Sequence, residues 1–183
     1  MTHSLPCSSL LVLGGARSGK SRHAQLAAEA SAKSLVYIAT GQAFDSEMED
    51  RIVRHKAGRG PRWELCEEPL DLVAALRRES RADRMLLVDC CTLWLSNLMF
   101  AARDVERETA ALAAALPALP GPLIFVSNEV GSGIVPDNEL ARSFRDAQGR
   151  LNQRLAAACT CAVLVVAGLP VLLKPAREFA LAF

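Results

Sequence analysis

The sequence predicts a three-layer α/β fold, in which helices cover both faces of a mostly parallel central sheet. Five short runs rich in Leu, Val and Ile alternate with longer stretches whose apolar residues recur at helical spacing. Runs this short and this uniformly apolar are typical of strands that are buried on both faces, as in parallel sheets. The 183 residues show no internal repeat, low-complexity tract or linker. We therefore expect residues 1–183 to form a single domain that buries a real core.

Strands and helices alternate along the chain in this prediction. The strands fall at residues 9–13, 35–39, 85–89, 123–127 and 162–167. The helices fall at residues 20–32, 46–57, 70–79, 105–116 and 138–158. The last helix is the clearest, because apolar residues recur there at three- and four-residue steps, at Leu140, Phe144, Ala147, Leu151 and Leu155. The Gly-Leu-Pro sequence at 168–170 predicts a turn into an edge strand at residues 171–173.

The composition is typical of a globular protein, with 51% apolar and 22% charged residues, and not of a disordered one. Lys and Arg number 21 against 20 Asp and Glu, so a net charge of +1 gives no general attraction to nucleic acid or anionic lipid. Any anion site must therefore be local. No apolar run approaches the length of a membrane span, and the N-terminal run at residues 10–13 is too short for a signal peptide. We expect a cytoplasmic protein.

Six cysteines occupy positions 7, 66, 90, 91, 159 and 161. They form no C-x-x-C pair, and their spacing fits no zinc site. We interpret them as small buried hydrophobic residues in a reducing compartment.

Residues 14–21 read Gly-Gly-Ala-Arg-Ser-Gly-Lys-Ser and match the pattern G-x-x-x-x-G-K-[ST] of a phosphate-binding loop, here called the phosphate loop. The loop follows a predicted strand and opens a predicted helix, so backbone N–H groups and the helix N-terminus can surround phosphate oxygens. In such loops the lysine reaches the β- and γ-phosphates and the last hydroxyl binds Mg²⁺. A chance glycine turn is the alternative, which the flanking strand and helix disfavour. Nucleotide contacts are therefore predicted for Gly14, Gly15, Ala16, Arg17, Ser18, Gly19, Lys20 and Ser21.

A phosphate loop also requires an acidic residue at the end of a later buried strand, where it holds the magnesium shell. Asp89 ends the predicted strand at residues 85–89. An Asp after a strand is often only a turn or helix N-cap residue. Because the chain contains a phosphate loop, we favour the magnesium role for Asp89. Ser21 and Asp89 are then the predicted Mg²⁺ ligands, and Lys20 and Asp89 are predicted catalytic residues.

His55 is the third candidate catalytic residue. Glu47, Arg51 and His55 are four residues apart and share one face of the predicted helix at 46–57. Cationic side chains that could dock a second phosphate group lie close by in sequence, at Arg54, Lys56 and Arg59. A solvated, charged helix face is the alternative interpretation, and an isolated histidine would favour it.

Several separate blocks carry a resemblance that covers residues 11–174, nearly the whole chain. They are the phosphate loop with Arg22-His23, Tyr37-Ile-Ala-Thr40, the residues from Asp45 to His55, Asp89 with Thr92-Leu-Trp94 and Asn97-Leu98, Ser127-Asn-Glu-Val-Gly131 with Gly133-Ile-Val-Pro136, and the residues from Arg142 to Arg154. With these blocks the sequence resembles the bifunctional adenosylcobinamide kinase/adenosylcobinamide-phosphate guanylyltransferase family of cobalamin biosynthesis. The phosphate loop alone is generic, whereas His55 and the block at 128–154 make the resemblance specific.

This resemblance implies a P-loop NTPase fold of the RecA-like type, assembled as a homotrimer. It implies phosphorylation of adenosylcobinamide with ATP or GTP, followed by transfer of GMP from GTP to give adenosylcobinamide-GDP, with Mg²⁺ as cofactor. His55 matches the histidine that the family guanylylates, and a neutral imidazole with a pKa of about 6.5 can attack phosphorus at pH 7. The further nucleotide contacts that it implies are Ala39, Thr40, Gly41, Lys56, Ala57, Gly58, Arg59, Glu67 and Asp89.

Some of these residues keep two interpretations. Glu67 or Glu68 can accept from the N1–H and amino donors of guanine, or face solvent. Trp94 and Leu95 are either core residues or an apolar wall for a corrinoid ring. His23, one turn beyond Lys20, is assigned a packing or nucleotide-edge role. Four arginines of the last predicted helix either line a plain surface or, with Glu129, approach an anionic substrate or a neighbouring subunit: Arg142, Arg145, Arg150 and Arg154.

Two other function classes compete with this prediction. In a monofunctional P-loop small-molecule kinase, His55 would be an ordinary surface residue. A non-catalytic GTP-binding switch would hold or hydrolyse GTP without transferring phosphate or GMP. The sequence contains no N-K-x-D tetrad of the small GTPases, which counts against the switch.

Overall fold

The structure, a computed structural model, describes residues 7–41 and 60–175 of the chain. Its strands are β1 Ser9–Gly14, β2 Ser34–Ala39, β3 Trp63–Glu67, β4 Arg84–Asp89, β5 Leu123–Asn128, β6 Cys161–Val166 and β7 Leu169–Lys174. Its helices are α1 Lys20–Glu29, α2 Leu72–Glu79, α3 Cys91–Phe100, α4 Val105–Ala115 and α5 Glu139–Ala158, and a short 3₁₀ helix spans Leu116–Ala118.

The strands form one sheet in the order β3-β2-β4-β5-β1-β6-β7. All neighbours are parallel except β7, which runs antiparallel to β6. The carboxyl ends of parallel strands lie at one edge of a sheet, and ligands of open α/β sheets bind at that edge. Here the register places Gly14 opposite Asn128 and Asp89 opposite Ala39. The prediction of a mostly parallel α/β sheet is confirmed.

Helices cover both faces of the sheet. On one face, α1 packs Ala24 and Ala28 against apolar side chains of the central strands. On the other face, α2, α3, α4 and α5 bury a larger cluster that includes Trp94, Phe125 and Leu151. Burial of this apolar surface is the main force that holds the three layers together.

Two elements were missing from the sequence prediction, and one began too late. Strand β3 is exposed at several positions, so it lacks the continuous apolar run of the other strands. Helix α3 is mostly buried and therefore shows no polar face to set its period. The turn before β7 consists of Ala167 and Gly168, with φ of 51° and 82°, and the strand begins at Leu169. The predicted helix at 46–57 lies outside the described residues.

The apolar face predicted for α5 is only partly buried. Ala147, Leu151 and Leu155 are buried and Phe144 is half-buried, but Leu140 is 62% exposed. The reason is that the first turn of α5 lies beyond the buried cluster, which it joins at Phe144. Leu140 therefore keeps the helical spacing that predicted α5 but lies outside the core.

The six cysteines are all free thiols. The prediction that they are small buried residues is confirmed for Cys90, Cys91, Cys159 and Cys161. It is wrong for Cys7, which is exposed at the start of the described chain, and Cys66 is intermediate. Within residues 7–41 and 60–175, no helix combines the length and apolarity that a membrane crossing requires.

Candidate nucleotide-binding site

The phosphate loop connects β1 to α1 at the carboxyl edge of the sheet. It turns sharply because Arg17 and Gly19 adopt positive φ values of 56° and 94°. The N–H of Ser18 donates to the Gly15 carbonyl at 3.3 Å, which closes the turn. Gly15, Ala16 and Arg17 are exposed, so the backbone of the loop is open to a ligand. The N-terminus of α1 adds a positive potential at the same place.

The first glycine of the loop is required by a close approach of neighbouring chain. A Cβ atom on Gly14 would lie 2.4 Å from the Ser18 Oγ and 2.7 Å from the backbone oxygen of Val165. On Gly15 the same atom would meet nothing within 4 Å. The carbonyl of Ser18 in turn accepts from the N–H of Gly168 at 2.8 Å, so the β6–β7 turn supports the loop from outside.

The predicted polar residues of the loop meet the predicted acid. Asp89 ends β4, and its Oδ1 atom lies 3.5 Å from the Ser21 Oγ, which donates to it. The Lys20 ammonium donates to the Gly15 carbonyl at 3.1 Å and so lies over the loop. The N-cap of α3 is Cys90, so Asp89 does not have the alternative role of capping that helix. A hydroxyl and a carboxylate at this distance form an oxygen donor pair of the kind that Mg²⁺ prefers.

Thr40 follows β2, and its hydroxyl, its carbonyl and its backbone N–H are all hydrogen-bonded within the protein. Its side chain is fully buried, its hydroxyl bonds to the backbone of Cys90, and its carbonyl accepts from the Asn97 amide at 2.7 Å. Ala39 before it is buried and Gly41 after it is half-exposed. The nucleotide contact predicted for Thr40 stays a prediction, whereas its role in joining β2 to β4 is visible.

The two candidate acids for guanine differ in the structure. Glu68 Oε1 accepts from the N–H groups of Leu70 and Asp71, at 3.2 and 2.8 Å, and so caps the turn before α2. Glu67 is exposed at the carboxyl end of β3, beside Ala39 of β2. Of the two, Glu67 is therefore the better placed to meet a base.

A buried polar network fixes the end of β5, beside the phosphate loop. The hydroxyl of Ser127 donates to the Asn152 Oδ1 at 2.6 Å, and the Gln148 amide donates to both residues. The Asn152 amide then donates to the carbonyl of Asn128, and the N–H of Glu129 donates to the carbonyl of Gly14. Sequence reasoning missed this network, although polar residues on the inner side of a helix otherwise rich in Ala and Leu were a signal for it.

Three of the four arginines of α5 have partners within the chain. Arg142 donates to the carbonyls of Pro136 and Asp137, Arg145 pairs with Asp146, and Arg154 pairs with Glu106 and Thr109. Arg150 is exposed. These pairs support the interpretation of a structural helix surface for Arg142 and Arg154.

Trp94 and Leu95 are fully buried, and the Trp94 indole donates to the carbonyl of Leu70 at 2.8 Å. They belong to the core, so the alternative of a corrinoid wall at these two residues was wrong. His23 lies half-buried on α1, where its backbone N–H donates to the Gly19 carbonyl. The remaining predicted site residues lie outside the described part of the chain: His55, Lys56, Ala57, Gly58 and Arg59.

The sheet order and the phosphate loop give the chain a P-loop α/β fold of the RecA-like type. Solved structures of this fold match it at low identity. The P4 protein from bacteriophage phi6, in complex with ADP, aligns with a TM-score of 0.50 and 14% identity, over 93% of this chain and 56% of that one. An ATPase from the type III secretion system of pathogenic bacteria aligns with a TM-score of 0.55 and 11% identity, over 86% of this chain and 50% of that one. These likenesses support the fold alone.

The family is shown by sequence. The family model described as cobinamide kinase / cobinamide phosphate guanyltransferase matches residues 10–173, and the chain belongs to this family of bifunctional enzymes. The chain is 50% identical to the bifunctional adenosylcobalamin biosynthesis protein CobP of Pseudomonas aeruginosa, over 90% of this chain and 96% of that protein. It is 43% identical to the corresponding CobU protein of Salmonella typhimurium, over 90% of this chain and 99% of that one. The resemblance seen in the sequence is thereby confirmed.

Proposed function

We propose that the chain phosphorylates adenosylcobinamide with ATP or GTP and then transfers GMP from GTP to the product, giving adenosylcobinamide-GDP. The observation that carries this proposal is the convergence of Lys20, Ser21 and Asp89 on an open phosphate loop at the carboxyl edge of the sheet. This convergence supports a triphosphate site, and membership of the family supports a cobinamide as the acceptor.

In the kinase reaction, the aminopropanol hydroxyl oxygen forms a bond to the γ-phosphorus and the bond to the bridging oxygen of the nucleotide breaks. The phosphate loop N–H groups and the Lys20 ammonium stabilise the negative charge of the triphosphate. Ser21 and Asp89 are the residues that would hold Mg²⁺. When bound there, Mg²⁺ offsets charge on the phosphate oxygens.

In the guanylyltransferase reaction, His55 acts as the nucleophile. A nitrogen of the neutral imidazole forms a bond to the α-phosphorus of GTP, and pyrophosphate leaves. The phosphate oxygen of adenosylcobinamide phosphate then attacks the same phosphorus, and the bond from phosphorus to the imidazole breaks. The proposed contacts of this nucleotide are the phosphate loop, the segment Ala39, Thr40 and Gly41, the residues Lys56, Ala57, Gly58 and Arg59, and the acids Glu67 and Asp89.

We further propose that residues 1–183 act as one domain, that the protein is a cytoplasmic homotrimer and that its substrates are small molecules only. An association surface is supported by β7, where Leu169, Val171 and Leu172 are 70%, 51% and 51% exposed. A row of exposed apolar side chains on an edge strand favours pairing with another chain. Sedimentation equilibrium measures the stoichiometry directly, and a monomer at micromolar concentration would contradict the trimer.

The decisive experiment uses GTP labelled at the α-phosphate. The wild-type protein should acquire a label that is stable to alkali and lost in acid, as expected for a phosphorus–nitrogen bond, and adenosylcobinamide phosphate should discharge it. His55→Ala should acquire no label but should still phosphorylate adenosylcobinamide. His23→Ala is the matched control for the labelled position: it should still acquire the acid-labile label, at a higher GTP concentration where a nucleotide-edge contact of His23 is lost. A protein that phosphorylates adenosylcobinamide without ever taking the label is a monofunctional kinase, and the transferase proposal then fails.

A further inference from the structure

The strongest feature that the nucleotide site leaves unused is an apolar pocket of about 520 Å³ between α3, α5 and the segment that joins β5 to α5. We call it the apolar pocket. Its apolar lining comes from three parts of the chain, with Met99 and Phe100 on α3, Val130 and Pro136 on the segment, and Leu140 and Phe144 on α5. Polar groups are few, at Ser96, Asn138 and Arg145. A concave surface that is mostly apolar with a few polar groups is typical of a small-molecule site.

The side chains around the apolar pocket are more exposed than a folded core would leave them. Leu140 is 62% exposed and Phe100 is 70% exposed. Two further apolar residues precede Pro136 in the segment after β5 and are also exposed, Ile134 at 97% and Val135 at 63%. Several exposed apolar side chains in one region of a soluble protein are typical of a binding site.

The apolar pocket is anchored to the nucleotide site by short connections. Its residue Val130 follows Glu129, whose N–H donates to the carbonyl of Gly14 at the base of the phosphate loop. On the other wall, α3 begins two residues after Asp89, and Asn97 binds the carbonyl of Thr40. The apolar pocket and the phosphate loop therefore lie at the same edge of the sheet, joined by the hydrogen bonds of Glu129 and Asn97.

We infer that the apolar pocket binds the corrin ring of the cobinamide substrate, while the hydroxyl end of its side chain reaches the phosphate loop. This inference rests on the proposed function, which requires the protein to hold an acceptor far larger than the reacting hydroxyl. A corrin ring has apolar faces and methyl groups, with amide side chains at its rim. The apolar walls match the ring, and the guanidinium of Arg145 and the side-chain amide of Asn138 supply polar groups for the amides at its rim.

The outward face of α3 carries this role, and the buried face does not. Trp94 and Leu95 point into the core, whereas Ser96, Met99 and Phe100 of the same helix line the apolar pocket. One helix thus packs the domain on one side and presents an apolar wall on the other. The position fits a substrate whose bulk stays outside the nucleotide site.

The test measures binding of adenosylcobinamide itself, by equilibrium dialysis, so that it does not depend on turnover. Leu140→Glu places a carboxylate at the apolar pocket, and an acid in the first turn of α5 is favourable to the helix, so the variant should fold. Ala141→Leu fills the space and retains good helix propensity. We expect each to weaken binding roughly tenfold or more, because an apolar pocket loses its fit to the ring. Labelling by α-labelled GTP should be unchanged in both.

Leu26→Glu is the matched control, since Leu26 is 55% exposed on α1, which packs on the opposite face of the sheet. It should bind adenosylcobinamide as the wild type does. Wild-type affinity in both pocket variants would overturn the inference, and so would a wild-type protein that does not bind adenosylcobinamide. If instead the variants change the sedimentation of the protein and lose GTP labelling, the apolar pocket is a contact between copies of the chain and not a substrate site. Binding without phosphorylation by the wild type would leave this inference standing and refute the proposed kinase activity.

Discussion

The hydroxyl of Thr40 is hydrogen-bonded twice to the backbone of Cys90, donating to its carbonyl at 2.7 Å and accepting from its N–H at 2.9 Å. Thr40 follows β2 and Cys90 follows β4, so one buried side chain joins the carboxyl ends of two neighbouring strands. Asp89, the last residue of β4, is held at the site by this connection. Thr40 is in this sense a positioning residue for the acid.

Replacing Thr40 by Val should lower the free energy of unfolding by about 2 kcal/mol, because the buried N–H of Cys90 loses its acceptor. Thr40→Ser retains the hydroxyl and removes one methyl group, which should cost only about 1 kcal/mol. Urea denaturation of the two variants measures the difference. Equal losses in the two variants would mean that the paired hydrogen bonds contribute nothing net.

The two adjacent glycines at the start of the phosphate loop should respond differently to Ala. Gly14→Ala should destabilise the protein by about 1–3 kcal/mol, since its methyl group would collide with the backbone oxygen of Val165. Gly15→Ala meets open space and should change stability by less than about 0.5 kcal/mol. Thermal or urea unfolding of both variants is the measurement. A larger loss at Gly15 than at Gly14 would contradict the described loop geometry.

The buried network at the end of β5 predicts a steep contrast between neighbours on α5. Asn152→Ala leaves Ser127 and the carbonyl of Asn128 without partners from that side chain, and should cost about 2 kcal/mol or more. Gln153→Ala changes an exposed residue of the same helix and should cost less than about 0.5 kcal/mol. Denaturation curves compare the two directly. A loss at Asn152 as small as that at Gln153 would show that water replaces the network.

Phosphoryl transfer should depend on Asp89, the last residue of β4, and not on Asp83, which precedes the first residue of β4. Asp89→Asn should lower kcat for adenosylcobinamide phosphorylation by a factor on the order of 10²–10³ and raise the Mg²⁺ concentration that gives half-maximal rate. Asp83→Asn makes the same change at the opposite end of the strand, where the side chain is exposed, and should leave the rate unchanged. An Asp89→Asn enzyme with normal Mg²⁺ dependence would remove Asp89 from the proposed metal site.

Buried thiols should make the protein sensitive to alkaline pH. Burial, with the charge of Asp89 adding to it, raises the pKa of Cys90 from 9.0 to about 11. Between these values the unfolded chain loses a proton that the folded chain keeps, so stability falls as the pH rises from 9 to 11. At pH 11 the loss of unfolding free energy due to this thiol should reach about 2 kcal/mol.

Urea denaturation at a series of pH values tests this effect. Cys90→Ala should flatten the loss of stability between pH 9 and 11 relative to the wild type, whatever its effect at neutral pH. Identical slopes in wild type and Cys90→Ala would show that the thiol titrates normally in the folded protein.

Much of the strand, loop and helix arrangement could be predicted from the sequence, because the local signals agree with the tertiary structure. The apolar run before Gly14, the glycine-rich loop and the helix after Lys20 each indicate the same unit. Asp89 was also predictable, since a buried parallel strand must deliver its next polar residue to the carboxyl edge of the sheet.

Other features depend on pairs of residues that are distant in sequence. The hydrogen bond from Thr40 to Cys90 joins residues 50 positions apart, and no local pattern around Thr40 predicts it. Leu140 fits the apolar period of α5, but the period does not reveal where the core ends along the helix. Trp94 is a second example, because the sequence does not distinguish an aromatic residue buried in the core from one that contacts a ligand.

The turn between β6 and β7 donates the N–H of Gly168 to the carbonyl of Ser18, so the last hairpin of the sheet serves the first loop of the chain. Shortening the protein at its carboxyl end, just after β6, would therefore do more than strip away a peripheral strand. It would remove the N–H donor that holds the Ser18 carbonyl in place. The triphosphate site near the N-terminus therefore depends on residues near the C-terminus.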